Sequence, residues 1–136
     1  MPEQCHRIRL RGPWQIAGSP AADATTAQLP AAWQSLFGEE GGRVRFARRF
    51  NRPTNLEEQN RVELVFAGIG GMARIAINGT VLAEGASAPP ELRLCVTELL
   101  RPGNEIVVDV EFDPTTAGNQ PGGVFGTVSI EIFAVG

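Results

Sequence analysis

Apolar and polar residues alternate along most of this chain, and glycine or proline breaks the alternation at short intervals. Over His6-Arg7-Ile8-Arg9-Leu10-Arg11, Ile8 and Leu10 fall on one face. Gly12-Pro13 interrupts, and Trp14-Gln15-Ile16 resumes. Successive side chains on a strand point to opposite faces, so each such run predicts a strand with one buried side. The same pattern places Val44, Phe46, Arg48 and Phe50 on one face after Gly41-Gly42, with Pro53 ending the strand. Val62, Leu64 and Phe66 define another, and Ala73 to Ile77 a third. Asn78-Gly79 then marks a hairpin with Val81-Leu82 returning, because a type I′ turn needs positive φ at both central residues. Further strands are predicted at Leu92, Leu94 and Val96, at Ile106 to Phe112, and as a long closing strand from Val124 to Val135.

Between these runs, residues 18–30 read as a long loop and Pro30 to Phe37 as one or two helical turns. Thr97 is placed to cap a single turn that Pro102-Gly103 stops. About nine strands without a long helical pattern predict an all-β fold, an antiparallel β-sandwich or jelly roll. No repeat, linker or low-complexity tract divides residues 1–136, so a single domain is expected.

Composition narrows the function classes. With 43% hydrophobic and 20% charged residues, the 136-residue chain has the make-up of a globular protein. A domain this size buries roughly 70% of its unfolded surface and needs no disulfide or metal. The net charge is −3, whereas a nucleic-acid binder needs a basic excess to neutralise phosphates. All 12 basic residues are arginine, none clustered as a polybasic membrane signal, and no apolar run is long enough for a membrane helix. Neither nucleic acid nor membrane is therefore expected as a partner. Met1-Pro2-Glu3-Gln4 lacks the pattern of a secretory signal, so the expectation is a cytoplasmic chain or one whose signal was removed. Cys5 and Cys95 are too few for a disulfide framework and are expected as reduced thiols.

Several motifs invite chemistry and yield little. Gly68-Ile69-Gly70-Gly71-Met72-Ala73 matches a dinucleotide-binding pattern, but that pattern needs a helix to follow, and a strand follows here. The glycines are expected to form a flexible or bulged connection. Cys5 and His6 are neighbours on a strand and point apart, so they form no dyad, and no local spacing supports a zinc or calcium site. No cofactor or metal is expected. Most acids, such as Glu39-Glu40 and Glu57-Glu58, lie in predicted loops and read as solvated charge, not as a catalytic pair. In the run Arg43, Arg45, Arg48, Arg49 and Arg52, Arg48 faces inward and is expected to meet a carboxylate from a neighbouring strand. Asn78-Gly79-Thr80 is a formal glycosylation sequon whose turn role already explains it.

Taken in order, local motifs resemble one family. Leu10-Arg11-Gly12-Pro13-Trp14, Leu29-Pro30-Ala31-Ala32-Trp33, Val44 to Phe50 with Pro53, Ala76-Ile77-Asn78-Gly79, Val96 to Asn104 and Gly122-Gly123-Val124 resemble successive motifs of one domain. It is the N-terminal sugar-binding domain of glycoside hydrolase family 2, the β-galactosidase and β-glucuronidase group. The resemblance runs from about Leu10 to Phe133. It implies a galactose-binding-like jelly roll that is non-catalytic, since the family's two catalytic glutamates lie on a separate barrel. It also implies a carbohydrate ligand, or other domains or proteins of a glycosidase system, as the partner. The alternative is a structural or protein-interaction jelly roll without a sugar site.

Sugar recognition needs an aromatic face for the apolar side of a pyranose and amides or charges for its hydroxyls. Trp33, Phe37 and Phe125 lie in or beside predicted loops, and Asn119 and Gln120 in the long loop before the last strand. These five are the candidate ligand-binding residues. The competing reading is that Trp33 and Phe37 plug the open end of the core.

Overall fold

The computed structural model describes residues 5–19, 26–54, 56, 59–86, 91–118 and 120–133. Ten strands are formed among them: β1 (Cys5–Arg9), β2 (Trp14–Ser19), β3 (Thr26–Ala27), β4 (Gly42–Asn51), β5 (Arg61–Phe66), β6 (Met72–Ile77), β7 (Thr80–Ala86), β8 (Leu92–Cys95), β9 (Gly103–Phe112) and β10 (Val128–Phe133). One short helix, α1 (Trp33–Phe37), and a 3-10 turn at Thr97–Leu99 complete the elements. A four-stranded sheet runs β1-β10-β5-β8 and a six-stranded sheet β3-β2-β4-β9-β6-β7, with every pairing antiparallel. The chain repeatedly crosses from one sheet to the other, which is how a sandwich buries one face of each.

The alternating pattern is the cause of this packing. Val44 and Phe46 of β4, Ile106, Val108 and Val110 of β9, and Ile75 and Ile77 of β6 meet Val62, Leu64 and Phe66 of β5 and Val128 and Ile130 of β10 in one buried cluster. Each fully buried side chain of this size contributes about 1.5–3 kcal/mol. Trp14 is fully buried among them, and its indole N–H donates to the Leu10 carbonyl at 2.8 Å. No helix among the described residues is long and apolar enough to cross a membrane.

Asn78 and Gly79 both take positive φ, 51° and 84°, as the hairpin requires. Asn78 does more than turn the chain. Its side-chain amide donates to the Leu99 carbonyl at 3.0 Å and to Asn104 Oδ1 at 2.9 Å, while its Oδ1 accepts from the Glu105 N–H at 2.9 Å. With its amide engaged on both sides, the sequon asparagine is a clamp between the hairpin, the 3-10 turn and β9.

Four expectations are corrected. The segment read as a long loop over 18–30 contains β3, which pairs with β2. The closing strand starts at Val128, not Val124, because Gly123 forms an isolated bridge with Gly70 instead of joining the ladder. Thr97 does not cap its turn: its hydroxyl accepts the Val62 N–H at 2.9 Å. Arg48 meets no carboxylate among the described residues. Its Nη1 donates to the Arg49 carbonyl at 2.9 Å and its Nε is buried without a partner.

The glycine run is also tighter than a flexible connection. Gly70 and Gly123 exchange two backbone hydrogen bonds, at 2.9 and 3.0 Å. A Cβ on Gly70 would collide with the Pro121 carbonyl, and one on Gly122 with the Phe112 ring. Close backbone approach, not mobility, explains these glycines. The two cysteines sit on opposite edges of the four-stranded sheet. Three strand spacings are about 14 Å, beyond the roughly 4.4–6.8 Å a disulfide spans, and Cys95 is a free thiol.

Candidate functional site

The loops at one end of the sandwich meet around α1. This helix lies between Ala32 and Gly38, and the positive φ of Gly38, 65°, turns the chain out of it. Trp33 is fully buried. Its ring stands edge-on to Phe37, with centroids 4.9 Å apart, and tilts against Phe112 at 5.7 Å. The indole N–H donates to the Glu40 carbonyl at 2.7 Å, so the polar tip is satisfied internally. Gln34 then clamps the loop that follows β9: its amide donates to the Gln120 carbonyl at 2.9 Å and accepts from the Gly122 N–H at 3.2 Å.

Of the five sequence-predicted residues, Trp33, Phe37 and Gln120 therefore come together. Asn119 lies outside the described residues. Phe125 is placed apart, across Gly68 on the β5–β6 connection, where any Cβ would strike its ring. Gly126 donates to the Gly68 carbonyl at 3.0 Å and fixes this stacking. Phe125 is 37% exposed, whereas Trp33 presents no face to solvent.

In front of the buried Trp33–Phe112 pair, three shallow depressions adjoin. The largest, about 640 Å³, is lined by Glu39, Arg43, Glu111, Phe112, Asp113 and Thr115 among others. Neighbours of about 420 and 310 Å³ share Glu111 and the exposed Met72 with each other. Glu111 accepts from Arg43 at 2.6 and 3.2 Å, and Asp109 accepts from Arg45 at 2.7 and 3.1 Å. These hydrogen bonds raise the pKa of both guanidiniums. Asp113 accepts from the Thr115 hydroxyl at 2.7 Å and from its backbone N–H at 3.0 Å, and these bonds lower its pKa. No group of three or more His, Cys, Asp or Glu among the described residues is arranged to hold a metal ion.

The residues missed by sequence reasoning were Glu111, Asp109 and Met72. A signal existed. Arg43, Arg45 and Arg49 on one alternating run, and Glu105, Asp109 and Glu111 on another, are the spacing of cross-strand pairs on an antiparallel ladder.

The fold is found in large glycosidases. An FMN-binding β-glucuronidase from Faecalibacterium prausnitzii L2-6 is 23% identical with a TM-score of 0.73, over 93% of this chain and 22% of that one. A β-D-mannosidase from Dictyoglomus thermophilum is 14% identical with a TM-score of 0.73, over 92% and 22% of the two chains. A Bifidobacterium dentium β-glucuronidase complexed with coumarin-3-O-glucuronide is 16% identical with a TM-score of 0.73, over 94% and 30%. The chain thus spans between about a fifth and a third of the length of these proteins, and at such identities the likeness concerns the fold. No curated protein matches the chain. The family of glycosyl hydrolase 2 galactose-binding domain-like sequences matches residues 38–121, and the chain belongs to that family.

Proposed function

We propose that the chain is a non-catalytic, carbohydrate-binding-type accessory module of a family 2 glycosidase system. The state of three acids that line these depressions, Glu111, Asp109 and Asp113, supports the non-catalytic part. Glycoside hydrolysis needs a carboxylic acid kept protonated opposite a second carboxylate. Here Glu111 and Asp109 are bonded to arginines, and Asp113 is pushed toward the ionised form by Thr115. Family membership and the exposed ring of Phe125, braced over Gly68, support the carbohydrate part. Titration with a panel of mono- and oligosaccharides, followed by NMR shifts, is expected to give saturable changes. Substituting Phe125→Ala is expected to weaken any contact made beside Gly68 without unfolding the protein. One observation favours a second reading, a structural or protein-interaction domain. Trp33 seals the loop end, so the aromatic best suited to stacking is part of the core. A flat response across the whole panel would select that reading.

A further inference from the structure

The strand register lines up residues across the outer face of the six-stranded sheet. Gln15 of β2 pairs with Ala47 of β4, Ala47 with Val107 of β9, Val107 with Ala76 of β6, and Ala76 with Val81 of β7. All five lie on the solvent side of their strands, where Gln15 and Val81 are exposed and the other three half-buried. The result is a row of short side chains, apolar apart from Gln15, that crosses five strands. Four strand spacings make it about 19 Å long.

A charged row bounds it on one side and a single ion pair on the other. Two residues along in one direction, and three on β7 where a bulge shifts the register, Arg45, Asp109, Arg74 and Glu84 stand in register. Two residues along in the other, Arg49 faces Glu105, a loose pair at 3.9 Å whose side chains are 87% and 48% exposed. The row is therefore the floor of a furrow walled along four strands on one side and at β4 and β9 on the other. At its β2–β4 end a depression of about 320 Å³ is lined by Gln15, Thr26, Ala47, Arg49 and Glu105, among others.

We propose that this furrow binds an unbranched, electrically neutral glycan chain laid across the strands. The inference rests on the carbohydrate reading above and gives it a location away from the loop end. Chemistry on the floor and walls selects the ligand. The floor carries no aromatic ring to stack on a pyranose; its small apolar side chains leave room for an unbranched chain, while the Gln15 amide, the Thr26 hydroxyl and the loosely held Arg49 and Glu105 offer partners to hydroxyls. Each wall sums to zero formal charge, two arginines against two acids and one against one, so neither favours a charged polymer. A protein partner suits the furrow less. A stable interface buries roughly 800 Å² per partner around an apolar centre, and here it would have to desolvate both charged walls. A glycan leaves those groups hydrated.

The test titrates the intact chain with neutral linear oligosaccharides (gluco-, manno- and galacto-configured) and with an oligouronate, read by calorimetry and amide shifts. Wild type is expected to bind a neutral chain, with shifts at Gln15, Ala47, Ala76 and Val107. Ala47→Arg, which fills the furrow, is expected to raise Kd about tenfold or more. Gln15→Ala, a surface change with no packing cost, is expected to raise it by a smaller factor. Binding lost in Phe125→Ala but intact in both furrow variants would overturn the furrow while leaving the carbohydrate reading standing. Preference for the oligouronate would overturn the neutral-ligand claim, as would furrow shifts produced only by an extended peptide. No binding of any glycan by wild type would overturn the carbohydrate reading itself, and the furrow with it.

Discussion

The two sheets carry the same ion-pair chemistry on their outer faces, at different depths. On the six-stranded sheet, Arg43–Glu111, Arg45–Asp109 and Arg49–Glu105 form rungs between β4 and β9 that stand in solvent. On the four-stranded sheet, Glu131 of the central strand β10 is only 2% exposed. Arg7 reaches it from the edge strand β1 at 3.1 Å, and Arg93 from the opposite edge strand β8 at 3.0 Å. Arg93 also grips Glu63 and Glu91, at 3.1 and 3.0 Å, and its bonds to Glu131 above all, then to Glu91 and Glu63, raise its pKa. One buried carboxylate thus ties both edges of a sheet together, whereas the exposed rungs each join two strands that already share a ten-residue ladder. Salt bridges of similar length therefore differ in consequence according to what each leaves behind when broken. An exposed arginine returns to water, but two arginines stripped of Glu131 lose the latch between sheet edges.

The largest expected effect follows from that latch. Glu131→Ala is expected to cost about 2–3 kcal/mol, at or below the low end of the range of roughly 3–5 for a broken buried pair, because both arginines reach solvent. Urea unfolding measures it, and a loss below 0.5 kcal/mol, the usual scale of a neutral surface change, would erase the contrast. Arg45→Ala is expected to cost under about 1 kcal/mol, and the loss should shrink further in high salt. An equal cost from the two substitutions would contradict the comparison.

The smallest effect concerns pH. A carboxylate whose folded-state pKa is lowered contributes stability above its unfolded-state value, about 3.9 for Asp, and that stability is lost as pH falls through the folded value. Asp113 is such a group, through Thr115. Thr115→Val removes the hydroxyl bond but keeps the backbone one. The acid limb of the stability curve is expected to flatten slightly, through a small loss of stability at neutral pH and no change at pH below the folded value.

Strands whose inward positions alternate strictly were legible in the sequence. Val62, Leu64 and Phe66 define β5, and the run Ile106 to Phe112 defines most of β9, because burial of one face is a local pattern with global cause. The candidate site was legible only in part. Trp33 follows a proline-containing stretch and reads either as a platform for sugar or as a plug on the core, and the choice depends on a loop some ninety residues later folding over it through Gln34 and Gly122. Arg48 was expected to find a carboxylate because it shares the inward face of β4, yet it reaches back to its own strand's backbone. Thr97 has the sequence of a cap, but a strand N–H competes successfully for its hydroxyl. In each case a nonlocal partner decided between two uses of the same side chain. The furrow shows the converse. Its residues are unremarkable one by one, and only the register of five strands aligns them.

The most direct test of the central claim, a glycan-binding sandwich whose loop end is sealed, uses its two tryptophans. Both Trp14 and Trp33 are fully buried. Fluorescence and amide shifts should be recorded together during a glycan titration. The account predicts saturable amide shifts while tryptophan emission stays unmoved and shielded from acrylamide. A ligand-dependent change in emission that disappears in Trp33→Phe would place the sugar against Trp33 and contradict the sealed loop end, and silence in both signals would contradict glycan binding.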